Sequence, residues 1–248
     1  MARSPEGPAP APAVQKLRLR YAKRGRLRFS SARDFQRALE RALRRADVPM
    51  AFSAGFHPHP KISYANAAPT GTASEAEYVE ISVTHRVDPE RLRAALDAAL
   101  PPGLDILQAV QAGTGALADR LQASDWRVDF AGMAVGEVER AAQLLLSKDR
   151  VEVTRMMKNG PRTFDVREAV VSMDVSRGAD LACAILRVVV RHTTPAVRPD
   201  DVLTALREVA ALEPPRPPLV TRLAQGPLHA ATGMVADPLA ADLDDDGT

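Results

Sequence analysis

The hydrophobic pattern changes period within residues 16–46, and this change limits the folds that the chain can form. Residues 16–21 alternate between apolar and basic side chains, which is typical of a half-buried strand. From residue 32 the apolar positions repeat at helical spacing instead. Ser31 and Asp34 have the spacing of a capping box, which begins a helix. The sequence therefore predicts a strand followed by a helix over residues 32–46.

Strand and helix periods continue to alternate along the rest of the chain. The expected segments of the first half are strands at 16–21 and 26–29, a helix at 32–46, strands at 48–53 and 77–84, a helix at 89–100 and a strand at 104–110. The second half gives a strand at 126–130, a helix around 138–145, strands near 150–156, 169–176 and 181–191, a helix at 199–210 and a strand at 219–223. This order predicts an α+β fold of two ferredoxin-like halves with antiparallel sheets.

The composition changes at both ends of the chain, and these changes give the expected domain boundaries. We expect a disordered Pro-rich segment at 1–15, a first half at 16–111, a linker at 112–122, a second half at 123–225 and a disordered acidic tail at 226–248. No apolar run approaches the roughly 20 residues that cross a bilayer, and the N-terminus has no secretory pattern. We therefore expect a cytoplasmic protein.

The net charge of +2 averages a strongly basic region and an acidic one. Residues 16–61 contain thirteen Lys or Arg residues against three acids. Guanidinium groups pair with phosphate oxygens and stack on bases, so this region predicts binding to RNA or to a partner. The candidate arginines are Arg18, Arg20, Arg24, Arg26, Arg28, Arg33, Arg37, Arg41, Arg44 and Arg45. The last five lie within about 120° on the predicted helix, opposite its apolar stripe; an ordinary solvated face is the alternative interpretation.

The segment from His57 to Lys61 reads His-Pro-His-Pro-Lys and allows several interpretations. It can be a rigid loop that binds a ligand or a neighbouring chain through its histidines, Lys61, Ser63 and Asn66. His57, His59 and Lys61 are also weak candidates for acid and base catalysis of RNA cleavage. A metal site needs further ligands at a recognisable spacing, and a purely structural loop is the remaining alternative.

A second basic cluster surrounds the dipeptide Asn159-Gly160, which is a strong hairpin signal. Lys158, Arg162 and Arg167 lie on either side of it. These side chains predict a second phosphate or partner contact, although a plain hairpin explains the dipeptide equally well.

The single cysteine, Cys183, excludes an intramolecular disulfide and cannot hold an iron–sulfur cluster or a structural zinc. No dinucleotide-binding, Walker, nucleophile-elbow or zincin motif is present. We therefore expect no cofactor and no metal. The sequence indicates no independent enzymatic activity.

Three blocks of the basic region resemble a known family. They are YAKRGRLRF at 21–29, DFQRALERALRR at 34–45 and AFSAGFHPHPKIS at 51–63. Together with 74–81 and 158–167, they resemble the radical-SAM-linked domain family of unknown function, in its stand-alone form. The resemblance implies a radical SAM protein as a separate partner, because Cys183 alone cannot supply that enzyme's three-cysteine cluster motif.

Three functions are compatible with these observations. The first is a non-catalytic accessory protein that binds RNA or docks a radical SAM enzyme, in RNA modification or ribosome maturation. The second is a metal-independent RNA-processing endonuclease that uses His57 and His59. The third is a protein-only adaptor whose basic face meets an acidic partner.

Overall fold

The computed structural model describes residues 10–179 and 183–244. Over these residues the protein has a mixed α/β fold with antiparallel strand pairs and six α-helices. The chain forms two compact units, one of Met1–Asp119 with Pro238–Thr248 and the other of Arg120–Asp237. The predicted combination of helices and antiparallel strands is therefore confirmed. Most of the segment predicted to be disordered, 1–15, lies outside the described residues, and Gln15 is already buried.

In the first unit the strands and helices alternate. Their bounds are β1 Gln15–Lys23, α1 Ala32–Arg45, β2 Ile62–Ala65, β3 Ala73–Val83, α2 Pro89–Ala99 and β4 Ile106–Gln111. The strands lie in the order β4-β1-β3-β2, and each neighbouring pair is antiparallel. The apolar stripes of both helices pack on the sheet in one core, which includes Leu19, Leu39, Ile81 and Leu96.

The strand predicted at 26–29 is wrong, because Gly25–Phe29 forms a 3₁₀ helix. Gly25 has a φ of 54°, a left-handed conformation that glycine adopts without steric cost. Leu27 N then donates to Arg24 O, and Ser30 N donates to Leu27 O, each at 3.0 Å. The alternating basic residues of this segment therefore lie in a 3₁₀ helix and not in a strand.

The strand predicted at 48–53 is also wrong. Met50 and Phe52 form only isolated bridges, to Val83 and Pro60. Besides β1, the strand β2 pairs with β3; it lies inside the segment predicted as a loop, with Ile62 opposite Ile81. Strand pairing depends on the distant partner β3, so the local pattern of the two candidate segments does not decide between them.

The second unit follows a short helix, α3 (Leu117–Arg120), which lies within the predicted linker. Its elements are β5 Ala123–Ala131, α4 Val135–Leu146, β6 Glu152–Met157, β7 Gly160–Asp165, β8 Val170–Arg177, β9 Cys183–Arg191, α5 Pro199–Ala210 and β10 Leu219–Gly226. Strands β10-β5-β9-β8 form one sheet, while β6 and β7 form a separate hairpin around Asn159-Gly160. The hairpin prediction is confirmed, and the predicted stripe of α4 is buried.

The acidic tail is ordered over its described part. Leu228 and Val235 form a bridge, and a final helix, α6 (Ala240–Asp244), belongs to the first unit. Leu239 is fully buried, and Asp242 accepts two hydrogen bonds from Arg18 Nη1, at 2.7 and 2.9 Å. The prediction of a disordered tail is therefore wrong for residues 226–244, while 245–248 lie outside the described residues. A buried guanidinium requires an anionic partner, and the tail supplies it.

We expect Asp242→Asn to lower the free energy of unfolding by about 2–3 kcal/mol, measured by urea denaturation. The substitution removes a charged partner of the buried Arg18 guanidinium, while Glu80 remains. The control Asp119→Asn, at an exposed acid of the same unit, should change the free energy of unfolding by less than about 0.5 kcal/mol. Replacing both partners, as Arg18→Met with Asp242→Leu, should recover stability relative to Asp242→Asn alone. Equal stability of Asp242→Asn and wild type would contradict this role.

Candidate functional site

Helix α1 presents a row of arginines whose position follows from the start of the helix. Ser31 Oγ accepts a hydrogen bond from Asp34 N at 3.2 Å, and Asp34 Oδ2 accepts one from Ser31 N at 3.0 Å. The predicted capping box is thus confirmed, and it fixes the rotation of the helix, with Phe35 and Leu39 facing the core. The Ser31 hydroxyl also donates to Asp34 Oδ2 at 2.7 Å. This hydrogen bond and the one from Ser31 N lower the pKa of Asp34, with a smaller contribution from Arg37.

The arginines opposite the buried stripe are exposed. In the described part of the chain, none of the side chains of Arg33, Arg37, Arg41 and Arg44 forms an ion pair. Arg45 differs, because its guanidinium donates to Ala99 O at the end of α2. We call the set Arg33, Arg37, Arg41 and Arg44 the arginine row.

The spacing of the arginine row opposes helix stability. Arg41 has Arg37 four residues before it, and Arg44 and Arg45 three and four residues after it. Like charges at these spacings face one another on a helix and destabilise it by about 0.2–0.5 kcal/mol per pair. Glu40 lies three residues after Arg37 and four before Arg44, but it forms no ion pair with either and accepts a hydrogen bond from Gln36. The row therefore carries an excess of positive charge that an anionic ligand can neutralise.

The two arginines predicted on the basic face of β1, Arg18 and Arg20, hydrogen-bond to other groups of the chain. Arg18 is only 1% exposed, its Nε donates to Glu80 at 3.0 Å, and its Nη1 to Asp242. Burial opposes its charge, but Asp242 and Glu80 together raise the pKa of Arg18. Arg20 donates to the Glu75 carbonyl oxygen at 2.8 Å. The expected exposure of Arg18 is therefore wrong, because carboxylates of the chain itself cover this charge.

Within the described residues, the 3₁₀ helix has one arginine without an ion-pair partner and one that stacks on an aromatic ring. Arg24 pairs with Glu75 and with Asp105, the latter at 2.8 Å. Arg28 Nη1 donates to the Gly25 carbonyl oxygen, and its guanidinium lies 4.4 Å from the centre of the Phe29 ring. Arg26 is exposed. Phe29 itself is 57% exposed, which is unusual for a phenylalanine.

The His-Pro-His-Pro-Lys segment is the tip of a closed loop. Ser53 N donates to the His59 carbonyl oxygen at 2.8 Å, His59 N donates to Ser53 Oγ at 3.0 Å, and Lys61 N donates to Ala51 O. The side chains of His57, His59, Lys61 and Ser63 are exposed on this frame. Asn66, at the end of β2, has a φ of 41° and is also exposed.

Exposed aromatic rings accompany this loop, and sequence reasoning missed them. Phe52 and Phe56 are 43% and 63% exposed. Tyr64, in the strand β2 that follows the loop, packs edge-on against Phe35 on the core-facing side of α1, with ring centres 6.1 Å apart. Burial of the hydroxyl raises the pKa of Tyr64, and Glu40 adds to this shift. Only Phe56 carries a signal in the sequence, because it follows Gly55 in a segment without periodicity.

Within the described residues, the loop histidines do not form a catalytic arrangement with other side chains. Over residues 10–179 and 183–244, neither the His57 nor the His59 ring has a hydrogen-bond or ion-pair partner, so no carboxylate orients either ring. No group of three or more His, Cys, Asp or Glu residues in the same part of the chain could hold a metal ion.

The second predicted cluster is only partly brought together. Lys158 and Arg162 are exposed around the hairpin turn. Arg167 is not at this site, because its guanidinium donates to the carbonyl oxygens of Leu146 and Val170 at 3.3 and 3.1 Å. Lys158 and Arg162 line a surface concavity. Arg155 and Arg198 line it as well, and the sequence patterns did not predict them.

His192 is the histidine with the most developed surroundings. Its Nδ1 lies 2.7 Å from Leu121 O, and its Nε2 lies 2.8 Å from Ser124 Oγ. Burial lowers the pKa of His192. The hydrogen bond to Leu121 opposes this shift, and the charge of Arg222 adds to it. Ser124 is buried and cannot meet a substrate, so this pair has a structural role.

Fold and surface together define a mixed α/β protein with an exposed cationic helix. Over residues 16–199 the sequence matches the family described as uncharacterized proteins conserved in bacteria, DUF2344, and the chain belongs to this family. No curated protein matches the sequence. Within the described residues, no helix is long and apolar enough to span a bilayer.

We expect Arg41→Gln to raise the free energy of unfolding by about 0.5 kcal/mol at low ionic strength, because it removes three like-charge contacts on α1. The gain should shrink at high salt, which screens exposed charges. Arg93→Gln is the matched control, since Arg93 on α2 pairs with Glu90 three residues before it. This control should not stabilise the protein. Thermal unfolding at two salt concentrations measures the stability of both variants. A loss of stability in Arg41→Gln would contradict the expected repulsion within the arginine row.

The His192 ring should make the protein less stable in acid. Because the folded state lowers its pKa, the unfolded state takes up the proton first as the pH falls through about 6.5, and stability decreases until the folded pKa is reached. We expect the loss between about pH 7 and pH 5 to be smaller in His192→Gln than in wild type. The exposed His229→Gln is the control and should keep the wild-type loss. Equal losses in all three proteins would refute this assignment.

Proposed function

We propose that the protein is a non-catalytic accessory protein that binds RNA through the arginine row of α1. The observation that carries this proposal is the exposed set of four arginines without an ion-pair partner among the described residues. RNA supplies a regular array of phosphates that neutralises such a set, and each contact releases counterions.

The exposed aromatic rings favour unpaired RNA over a duplex. Rings in single-stranded binding sites stack on bases, while nearby cations follow the backbone. Phe52 and Phe56 supply exposed rings in the loop, and Tyr64, in the strand after the loop, contacts Phe35 of α1. Lys61 and Arg26 add exposed cations. An acidic protein partner explains the arginines but gives no particular reason for these rings.

The setting of this binding is part of the proposal. The resemblance of the basic region to radical-SAM-linked proteins suggests an accessory role beside a radical SAM enzyme, in RNA modification or ribosome maturation in the cytoplasm. We also propose that both units are ferredoxin-like. The first unit has the strand order β4-β1-β3-β2, and the second has β10-β5-β9-β8 with the β6–β7 hairpin as an insertion, which supports this assignment.

We expect Arg37→Glu with Arg41→Glu to weaken binding of a labelled RNA hairpin with an unpaired loop by about tenfold or more. The slope of log affinity against log salt should fall by about two, one for each lost phosphate contact. Fluorescence anisotropy measures both quantities. The control is Arg86→Glu with Arg91→Glu, which changes the net charge equally at exposed arginines of the same unit.

The outcomes separate the candidate functions. Binding that is insensitive to salt, or equally weakened in both double variants, would overturn the proposed site. Incubating the RNA with the protein in a chelator, beside a His57→Ala/His59→Ala variant, tests the endonuclease alternative. Cleavage that this variant loses would replace the accessory role with an enzymatic one.

A further inference from the structure

We propose that the β6–β7 hairpin and the residue preceding α5 form a binding site for a phosphate group. The site is a concavity of about 580 Å³ in the second unit. Four cationic side chains line it, those of Arg155, Lys158, Arg162 and Arg198, and no carboxylate is among its lining residues. This site goes beyond the arginine row, because it lies in the other compact unit and uses none of the same residues.

The hairpin register places two of these cations directly opposite one another. Arg155 is the cross-strand partner of Arg162, so both side chains lie on the same face of the hairpin. Like charges at directly opposite positions destabilise an antiparallel pair. The same face continues inward to Val153 and Phe164, which are buried, so the arginines lie where the apolar face reaches the surface.

One carboxylate holds part of the site in place. Asp201, which is buried, pairs with the Arg155 guanidinium and accepts a hydrogen bond from Arg198 N at 2.7 Å. Arg155 also donates to Ala196 O at 3.1 Å and lies 4.9 Å from the centre of the Phe164 ring. Asp201 therefore fixes one guanidinium and the backbone of Arg198 before any ligand arrives.

The remaining cations are left for a ligand. In the part of the chain that the structure describes, Lys158, Arg162 and the Arg198 side chain form no ion pair. Phosphate suits them better than a carboxylate, because it carries more charge and presents three or more oxygens to convergent donors. Met157, which also lines the concavity and lies on the same face of the hairpin as Arg155, offers an apolar contact for an organic part of the ligand.

Two sources can supply this phosphate, namely free inorganic phosphate and the phosphates of an RNA. The test uses the full-length protein at constant ionic strength and calorimetric titration with three probes. They are inorganic phosphate, a short single-stranded RNA with a 5′-phosphate, and the same RNA with a 5′-hydroxyl. Only the two RNA arms rest on the proposed function.

We expect saturable binding of at least one probe, weakened about tenfold or more by Arg162→Gln with Arg198→Gln. The matched control, Arg207→Gln with Arg216→Gln, removes two exposed charges elsewhere in the second unit and should stay within about twofold of wild type. Lys158→Gln alone gives an independent second variant, because it lies in the turn and leaves the strand pairing intact.

The pattern across probes identifies the source and can overturn the site. Binding of inorganic phosphate indicates the free ion, and a preference for the 5′-phosphate RNA indicates a terminal phosphate. Equal binding of both RNAs that Arg162→Gln/Arg198→Gln abolishes indicates a backbone phosphate. No saturable binding of any probe, or unchanged binding in the Gln variants, rejects the site. Arg37→Glu/Arg41→Glu should leave the binding of inorganic phosphate unchanged. A failure of the proposed RNA binding by α1 can therefore be distinguished from a failure of the phosphate site.

Discussion

The buried charge of Arg18 determines how the first unit is assembled. A guanidinium removed from water is tolerated only when carboxylates and carbonyls take up its hydrogen bonds. Glu80 comes from the neighbouring strand β3, but Asp242 comes from the far end of the chain. The C-terminal segment is therefore part of the first unit, which consists of two pieces of sequence, Met1–Asp119 and Pro238–Thr248. An acidic tail that composition alone assigns to solvent is thus a structural element.

This requirement divides the arginines of the protein into two populations. Some are neutralised by acids of the chain itself, as Arg18 is by Asp242 and Arg187 is by Asp125. Those of the arginine row have no such partner in the described chain. A count of basic residues adds the two populations together, although only the second offers charge to a ligand. The proposed binding surface is consequently smaller than the basic region of the sequence, and it is centred on α1.

What could be predicted from the sequence depends on the distance over which each feature is determined. Helix α1 and its capping box are local, because Ser31 and Asp34 lie three residues apart, and both were predicted. The Asn159-Gly160 hairpin is local in the same sense. The partner of Arg18 lies 224 residues away, so no window around Arg18 reveals its burial. Strand β2 was misplaced for the same reason, since only its register with β3 distinguishes it.

Cations without an ion-pair partner among the described residues occur in two places, on α1 and around the β6–β7 hairpin. On α1 they recur at helical spacing, while on the hairpin Arg162 lies opposite Arg155, whose own charge Asp201 already takes up. The repulsion along α1 costs stability, and the arginine row does not contribute to the packing of the core. The two arrangements have different backbones and lie in different units, yet both would be relieved by anionic oxygens. The proposed anion binding would therefore neutralise the free cations of both places with a single kind of ligand chemistry.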